Sequence, residues 1–174
     1  MSEVVSNHYL EDLLKTYPKH STSALPWLSQ LRTEAVDRVS ALKVPTTRDE
    51  EWRFTDISPL TEVPYQAAQT VAQLQPAEIK HHYLQEAATR LVFIDGQYAS
   101  ALCAISNDSG IVVGNLSTLL TSYSAKIAPH LGRYASFNDN IFAALNTAFL
   151  HDGAVIIVPR NISIAPPIHL LFIA

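Results

Sequence analysis

Between Ile141 and Ala174 only two side chains carry a formal charge, Asp152 and Arg160, and the sequence closes on Ile168-His169-Leu170-Leu171-Phe172-Ile173-Ala174. This apolar tail limits the fold more than any other feature. Ala154 to Val158, Ile162 to Ile164 and Ile168 to Ile173 are short β-branched runs, parted by the corners Pro159-Arg160-Asn161 and Ala165-Pro166-Pro167. Each run is too thin to bury an apolar face alone. Such runs suit the rungs of a parallel β-helix, and a sandwich would give the same local pattern. A last strand without neighbours leaves backbone groups and apolar surface unpaired. The tail therefore predicts the N-terminal piece of a longer protein, with residues 153–174 as the open end of a stack that self-associates or exchanges strands.

Composition narrows the class. With 48% hydrophobic and 16% charged residues, a chain of 174 residues folds rather than staying disordered, as one domain or slightly more. Twelve Lys+Arg against 16 Asp+Glu, a net charge of −4, argue against a nucleic-acid or anionic-membrane surface. A lone cysteine, Cys103, excludes an internal disulfide and any multi-cysteine metal site. Met1 to Tyr17 holds Glu3, Glu11 and Asp12 and no run of signal-peptide length, and no stretch reaches the ~18 apolar residues of a membrane span. A soluble, cytoplasmic protein is expected.

Apolar spacing predicts the elements. Leu10, Leu13, Leu14 and Tyr17 mark a first helix ended by Pro18. Leu28, Leu31, Ala35, Val39 and Leu42 stripe a second, opened by Pro26 and stopped by Pro45, with Glu34 and Arg38 spaced to pair on its outer side. Residues 46–59 read as an ordered loop or short helix, 64–75 as a linker and 76–88 as a further helix, closing an N-terminal helical region over 1–88. In 89–116, Leu91 to Ile94, Asp95-Gly96 and Gln97 to Ala99 form a hairpin signal, and Ile111 to Val113 a third strand. Two helices follow within 117–152, the second carrying Ile141, Leu145, Ala148 and Phe149 on one face and closed by a left-handed cap at Asp152-Gly153. The fold class expected is α+β: a helical region, then the first strands of a right-handed parallel β-helix.

Catalytic signatures are lacking: there is no phosphate loop, dinucleotide-binding glycine triplet, zinc helix or nucleophile elbow. Cys103 reads as a small hydrophobe in a strand rather than a thiol nucleophile, which needs a base or a positive field. His81 and His82 are adjacent and diverge on a helix, whereas His151 and His169 flank a glycine turn and could converge. Asp49, Glu50, Glu51 and Asp56 lack the alternating oxygens and glycine of a calcium loop. With Arg48 and Arg53 they read as a neutralised polar segment around Trp52, itself, with Phe54, expected in the core. No catalytic, cofactor or metal residue is assigned.

Two segments resemble a known family. Pro45-Thr46-Thr47-Arg48-Asp49-Glu50-Glu51-Trp52-Arg53-Phe54-Thr55-Asp56-Ile57 is similar to an N-terminal stretch of the SufB/SufD family, closer to its SufD branch. Phe142-Ala143-Ala144-Leu145-Asn146-Thr147-Ala148-Phe149 with Asp152-Gly153, then Val155 to Pro159 and Pro167 to Leu170, resembles that family's entry into its core. With the hairpin Phe93-Ile94-Asp95-Gly96, the resemblance spans most of residues 45–174. It implies a β-helix core and a non-catalytic scaffold in iron–sulfur cluster assembly. It also implies pairing with SufB and with the ATPase SufC, mostly through parts beyond residue 174. A cluster is implied only as transient cargo of the full complex. The residues that handle iron or sulfur lie beyond this chain, so none is carried over. Two other readings fit the pattern: a β-helix carbohydrate-active enzyme using the Asp49–Asp56 acids, and a generic α+β interaction module.

Overall fold

The computed structural model describes residues 2–17, 25–65, 73–106 and 110–174. Its elements in chain order are α1 (Ser2–Lys15), α2 (Pro26–Ala41), a 3-10 turn (Glu50–Trp52), α3 (Ser58–Thr61), α4 (Pro76–Ile79) and a second 3-10 turn (Lys80–His82). Then come β1 (Thr89–Ile94), β2 (Gln97–Tyr98), a third 3-10 turn (Ser100–Leu102), β3 (Val112–Asn115), α5 (Leu116–Ile127), α6 (Ile141–Ala148), β4 (Ala154–Ile157) and β5 (Ile168–Ile173). The chain divides into two compact units, each discontinuous in sequence: 1–67 with 126–150, and 68–125 with 151–174. Pro18 and most of the expected linker, residues 66–72, lie outside the described residues.

The first unit is helical. Pro26 starts α2, and Leu28, Ala35 and Val39 of the expected stripe are buried, while Leu31 and Leu42 are half-buried. Ala35 and Val39 pack with Leu10, Val44, Ile57 and, from α6, Ile141, Ala144 and Ala148. Trp52 joins this core, its ring centroid 5.6 Å from that of Phe142. Tyr17 meets Phe149 edge-on at 5.7 Å. Glu34 and Arg38 find partners other than each other. Glu34 accepts from the Gln30 amide at 2.9 Å, and the Arg38 guanidinium donates to the Asn138 carbonyl. Arg32 is a buried cation inside the apolar stripe. Its Nε donates to the Leu150 carbonyl at 2.7 Å, just beyond α6, where unpaired helix-end carbonyls favour positive charge. Gly132 sits at φ +72°, and a Cβ there would come within 2.7 Å of Leu31 Cδ1.

The second unit is built on β1, whose run from Leu91 to Ile94 is at most 2% exposed. Burial on both faces suits an uninterrupted apolar strand. β2 pairs antiparallel on one side, joining Phe93 to Tyr98 and Ile94 to Gln97, while β5 lies parallel on the other, from Thr89–Ile168 to Ile94–Ile173. Asp95 and Gly96 both have positive φ (49° and 77°), the conformation that lets a two-residue turn follow the strands' twist. Val92 and Ile94 pack with Ile79, Leu102, Leu171 and Ile173. A separate two-stranded sheet pairs β3 antiparallel with β4.

Several expectations shift. The helix over 76–88 is only one turn of α4 and one of 3-10 helix, because Ile79 alone among these residues is buried and little packing rewards further turns. The left-handed cap at Asp152-Gly153 does not form: α6 stops at Ala148, the Phe149 N–H returns to the Leu145 carbonyl at 3.0 Å, and Gly153 avoids the left-handed region. Ile162 to Ile164 form no strand, since Asn161 at φ 64° turns the chain and the Ile162 N–H donates to the Pro159 carbonyl. The sheets are small, and β4 pairs antiparallel to a strand far from it in sequence rather than with a neighbouring rung.

The buried arginine gives a stability test. Replacing it as Arg32→Leu deprives the Leu150 carbonyl of a charged donor and should cost about 1–3 kcal/mol. Exposed Gln30→Ala should stay within about 0.5 kcal/mol, and urea midpoints of the two variants measure the contrast.

Candidate interaction face

Several of the titratable groups noted in the sequence are engaged locally. Asp49 accepts from the Thr46 N–H (2.7 Å) and the Thr46 hydroxyl (3.2 Å), and Asp56 accepts from the Ser58 N–H at 2.9 Å. The Ser58 amide and hydroxyl hold the Asp56 carboxyl below its ordinary range. Asp49 and Asp56 thus brace turns, which does not favour a carbohydrate-active pair. The 3-10 turn sends Trp52 inward but leaves Phe54 93% exposed, so Phe54 is not a core aromatic.

His81 and His82 are exposed side by side, ring centroids 3.9 Å apart. His169 Nδ1 accepts from the Leu84 N–H at 3.3 Å. Among the described residues, no group of three or more His, Cys, Asp or Glu side chains could hold a metal ion. No described helix is long and apolar enough to cross a membrane. A shallow cleft of about 310 Å³ along α2, lined by Trp27, Leu31 and Phe137 with Gln30, Glu34 and Arg133, contains no nucleophile–base pair.

Cys103 follows the third 3-10 turn instead of sitting within a strand. Its sulfur accepts from the Val92 N–H at 3.2 Å and donates to the Ala99 carbonyl at 3.3 Å, tying the turn to β1. The neighbouring Tyr98 phenol is pushed up to about 12, first by burial and then by its hydrogen bond to Cys103. Arg90 lies 3.5 Å over the Tyr83 ring and donates to the Leu102 carbonyl.

Asp152, expected as a helix end, instead organises a junction that sequence reading did not foresee. Oδ2 accepts from buried Asn115 Nδ2 (2.9 Å), while Oδ1 accepts from the Ser117 N–H (3.1 Å) and the Gly153 N–H (2.9 Å). The Leu116 N–H donates to the Gly153 carbonyl at 2.7 Å. A carboxylate arriving from a distant segment thus caps the first turn of α5, where free N–H groups and the helix dipole favour an anion. The only local hint is Asn115, a polar residue at the end of an apolar strand.

The second unit leaves apolar side chains bare along β4 and β5. β5 bonds to β1 on one side only and is an edge of its sheet, as is β4. Leu170 and Phe172 of β5 are exposed, Phe172 to 62%, with its ring stacked 5.1 Å from that of Phe93. Ile156, Val158 and Ile162 are exposed nearby in sequence. The β5 edge carries no formal charge, proline or bulge, the devices by which edge strands avoid pairing. Chemically this face can bury strands or apolar side chains.

A family profile described as the SufBD protein N-terminal region matches residues 5–170. An iron–sulfur cluster assembly SufBD family protein of Synechocystis is 39% identical over 82% of this chain and 31% of its own length. The chloroplastic protein ABCI7 of Arabidopsis thaliana is 28% identical over 94% of this chain and 33% of its own. The iron–sulfur cluster assembly protein SufD of Bacillus subtilis is 22% identical over 94% and 38%. The chain spans about a third of the length of these relatives.

Two outcomes follow from this chemistry. Asp152→Ala should cost about 1–2 kcal/mol in urea unfolding by uncapping α5, and Asp152→Asn less. For Tyr98, the folded phenol holds its proton above the ordinary value of 10.0. The unfolded chain loses that proton first, so stability present below pH 10 declines as pH rises through about 12. Tyr98→Phe should flatten this alkaline loss, read by unfolding midpoints alongside tyrosinate absorbance.

Proposed function

As the chain belongs to the SufBD family, matching its N-terminal region from residue 5 to residue 170, we propose that it is the N-terminal region of a non-catalytic scaffold subunit in iron–sulfur cluster assembly. The subunit is of the SufD type, a reading supported by the tryptophan-bearing segment from Pro45 to Ile57 and by the alignment with the Bacillus subtilis protein. It works in the cytoplasm with SufB and the ATPase SufC, which engage parts of the protein mostly beyond residue 174. The cluster is cargo of that assembly, and the present residues hold none of it.

The observation that carries this reading is the uncovered apolar edge of β5 in a chain a third as long as its relatives. β5 already lies parallel on β1. In the whole protein it is an opening layer of a right-handed parallel β-helix, and the following strands cover Leu170 and Phe172.

Placing a carboxylate on the edge tests the idea. At a site that stays in water, Phe172→Asp costs within about 0.5 kcal/mol. Beneath a further layer it buries an unpaired charge and costs several kcal/mol. The expected result in the full-length protein is a large drop in unfolding midpoint with loss of co-purification with SufB and SufC. A variant that melts and assembles like the parent would overturn the layer. A parent that never co-purifies with SufB or SufC would overturn the scaffold role.

A further inference from the structure

We propose that Phe54 is a docking anchor for the part of the polypeptide that follows residue 174, at a place separate from the β5 edge. The inference rests on the reading of this chain as the N-terminal region of a longer subunit.

The turn carrying Phe54 is fixed before anything binds it. Asp49 closes it from one side on Thr46, and Asp56 from the other on Ser58. Inside, the Arg53 N–H donates to the Glu50 carbonyl and the Thr55 N–H to the Trp52 carbonyl. Trp52 nails the turn to the α6 core through Phe142. These restraints hold Phe54 outward at 93% exposure, with the Arg53 guanidinium 5.5 Å over its ring. Leu60, Val63 and Tyr65, in the segment that follows, are exposed as well. Aromatic and arginine side chains presented on a rigid support are the composition of interface anchors, because little freedom remains to be lost on contact.

Charge and length select the occupant. Arg48 and Arg53 stand against Asp49, Glu50, Glu51 and Asp56, and the carboxylates of Asp49 and Asp56 are already bonded within the turn, so the rim offers little free charge with which to steer a diffusing partner. A tethered segment needs no steering, since its effective concentration is high at all times. The relatives supply the length: about two-thirds of each lies outside its match to this chain.

The test uses the full-length protein with photoreactive p-benzoylphenylalanine at position 54, irradiated with and without its partner subunits, followed by mass-spectrometric mapping. The expected product is an intramolecular crosslink from position 54 to a residue beyond 174, formed with either composition. In the same protein Phe54→Ala should speed amide exchange in the crosslinked segment by about tenfold. Crosslinks only to a partner subunit or a second copy, or no crosslink together with unchanged exchange, would overturn the inference while leaving the family reading intact. A gene product that stops at residue 174 would overturn both.

Discussion

A β-strand has two sides to its backbone, and β5 has bonded only one of them. β1 takes the inner side along its whole length, in parallel register, while the outer side and the side chains of Leu170 and Phe172 meet solvent. Each unpaired edge amide in apolar surroundings is an invitation to another strand. Nothing on this edge declines it, since the nearest formal charge before it in sequence is Arg160. The proposed scaffold role gains physical sense from that geometry, because an uncharged strand edge with exposed apolar side chains is suited to being joined by a further strand.

Polar side chains add to apolar packing in fixing how distant segments meet within each unit. Arg32 reaches across to the carbonyl left over after α6, and Asp152 delivers a carboxylate to the start of α5. Both connect a helix end to a residue far away in sequence, and both satisfy groups that the helix cannot satisfy by itself. Cys103 acts on a smaller scale, its sulfur bonded to backbone groups of Val92 and Ala99. A thiol used in this way is a structural tie, and the raised Tyr98 phenol beside it follows from the same partly buried spot.

What was legible in the sequence was what depends on near neighbours. The Asp95-Gly96 turn fixes its own backbone and so fixes the hairpin. The stripe of α2 from Leu28 to Val39 has a periodicity that only a helix can bury on one side. What was not legible depended on contacts many residues away. Asp152-Gly153 looks like a helix end because both residue types suit one, yet the partners that claim Asp152 are Asn115 and Ser117. Ile162 to Ile164 has strand composition but no neighbour to bond, and β-propensity without a partner does not make a strand. Trp52 and Phe54 are alike in type and two residues apart, and only the turn between them decides that one is inside and the other out. For the interaction face, the uncharged tail was plain, but which strand it would join was not.

The two units are interleaved along the chain: the first is complete only with residues up to 150, and the second only with the strand that ends at Ile173. On a ribosome, therefore, neither can finish while the other waits its turn. Synthesis would release α2 long before α6 exists to cover it, and β1 long before β5 emerges. Until the strand ending at Ile173 has been made, the nascent chain thus carries half-built cores, a period in which a chaperone at the exit tunnel has the most to protect.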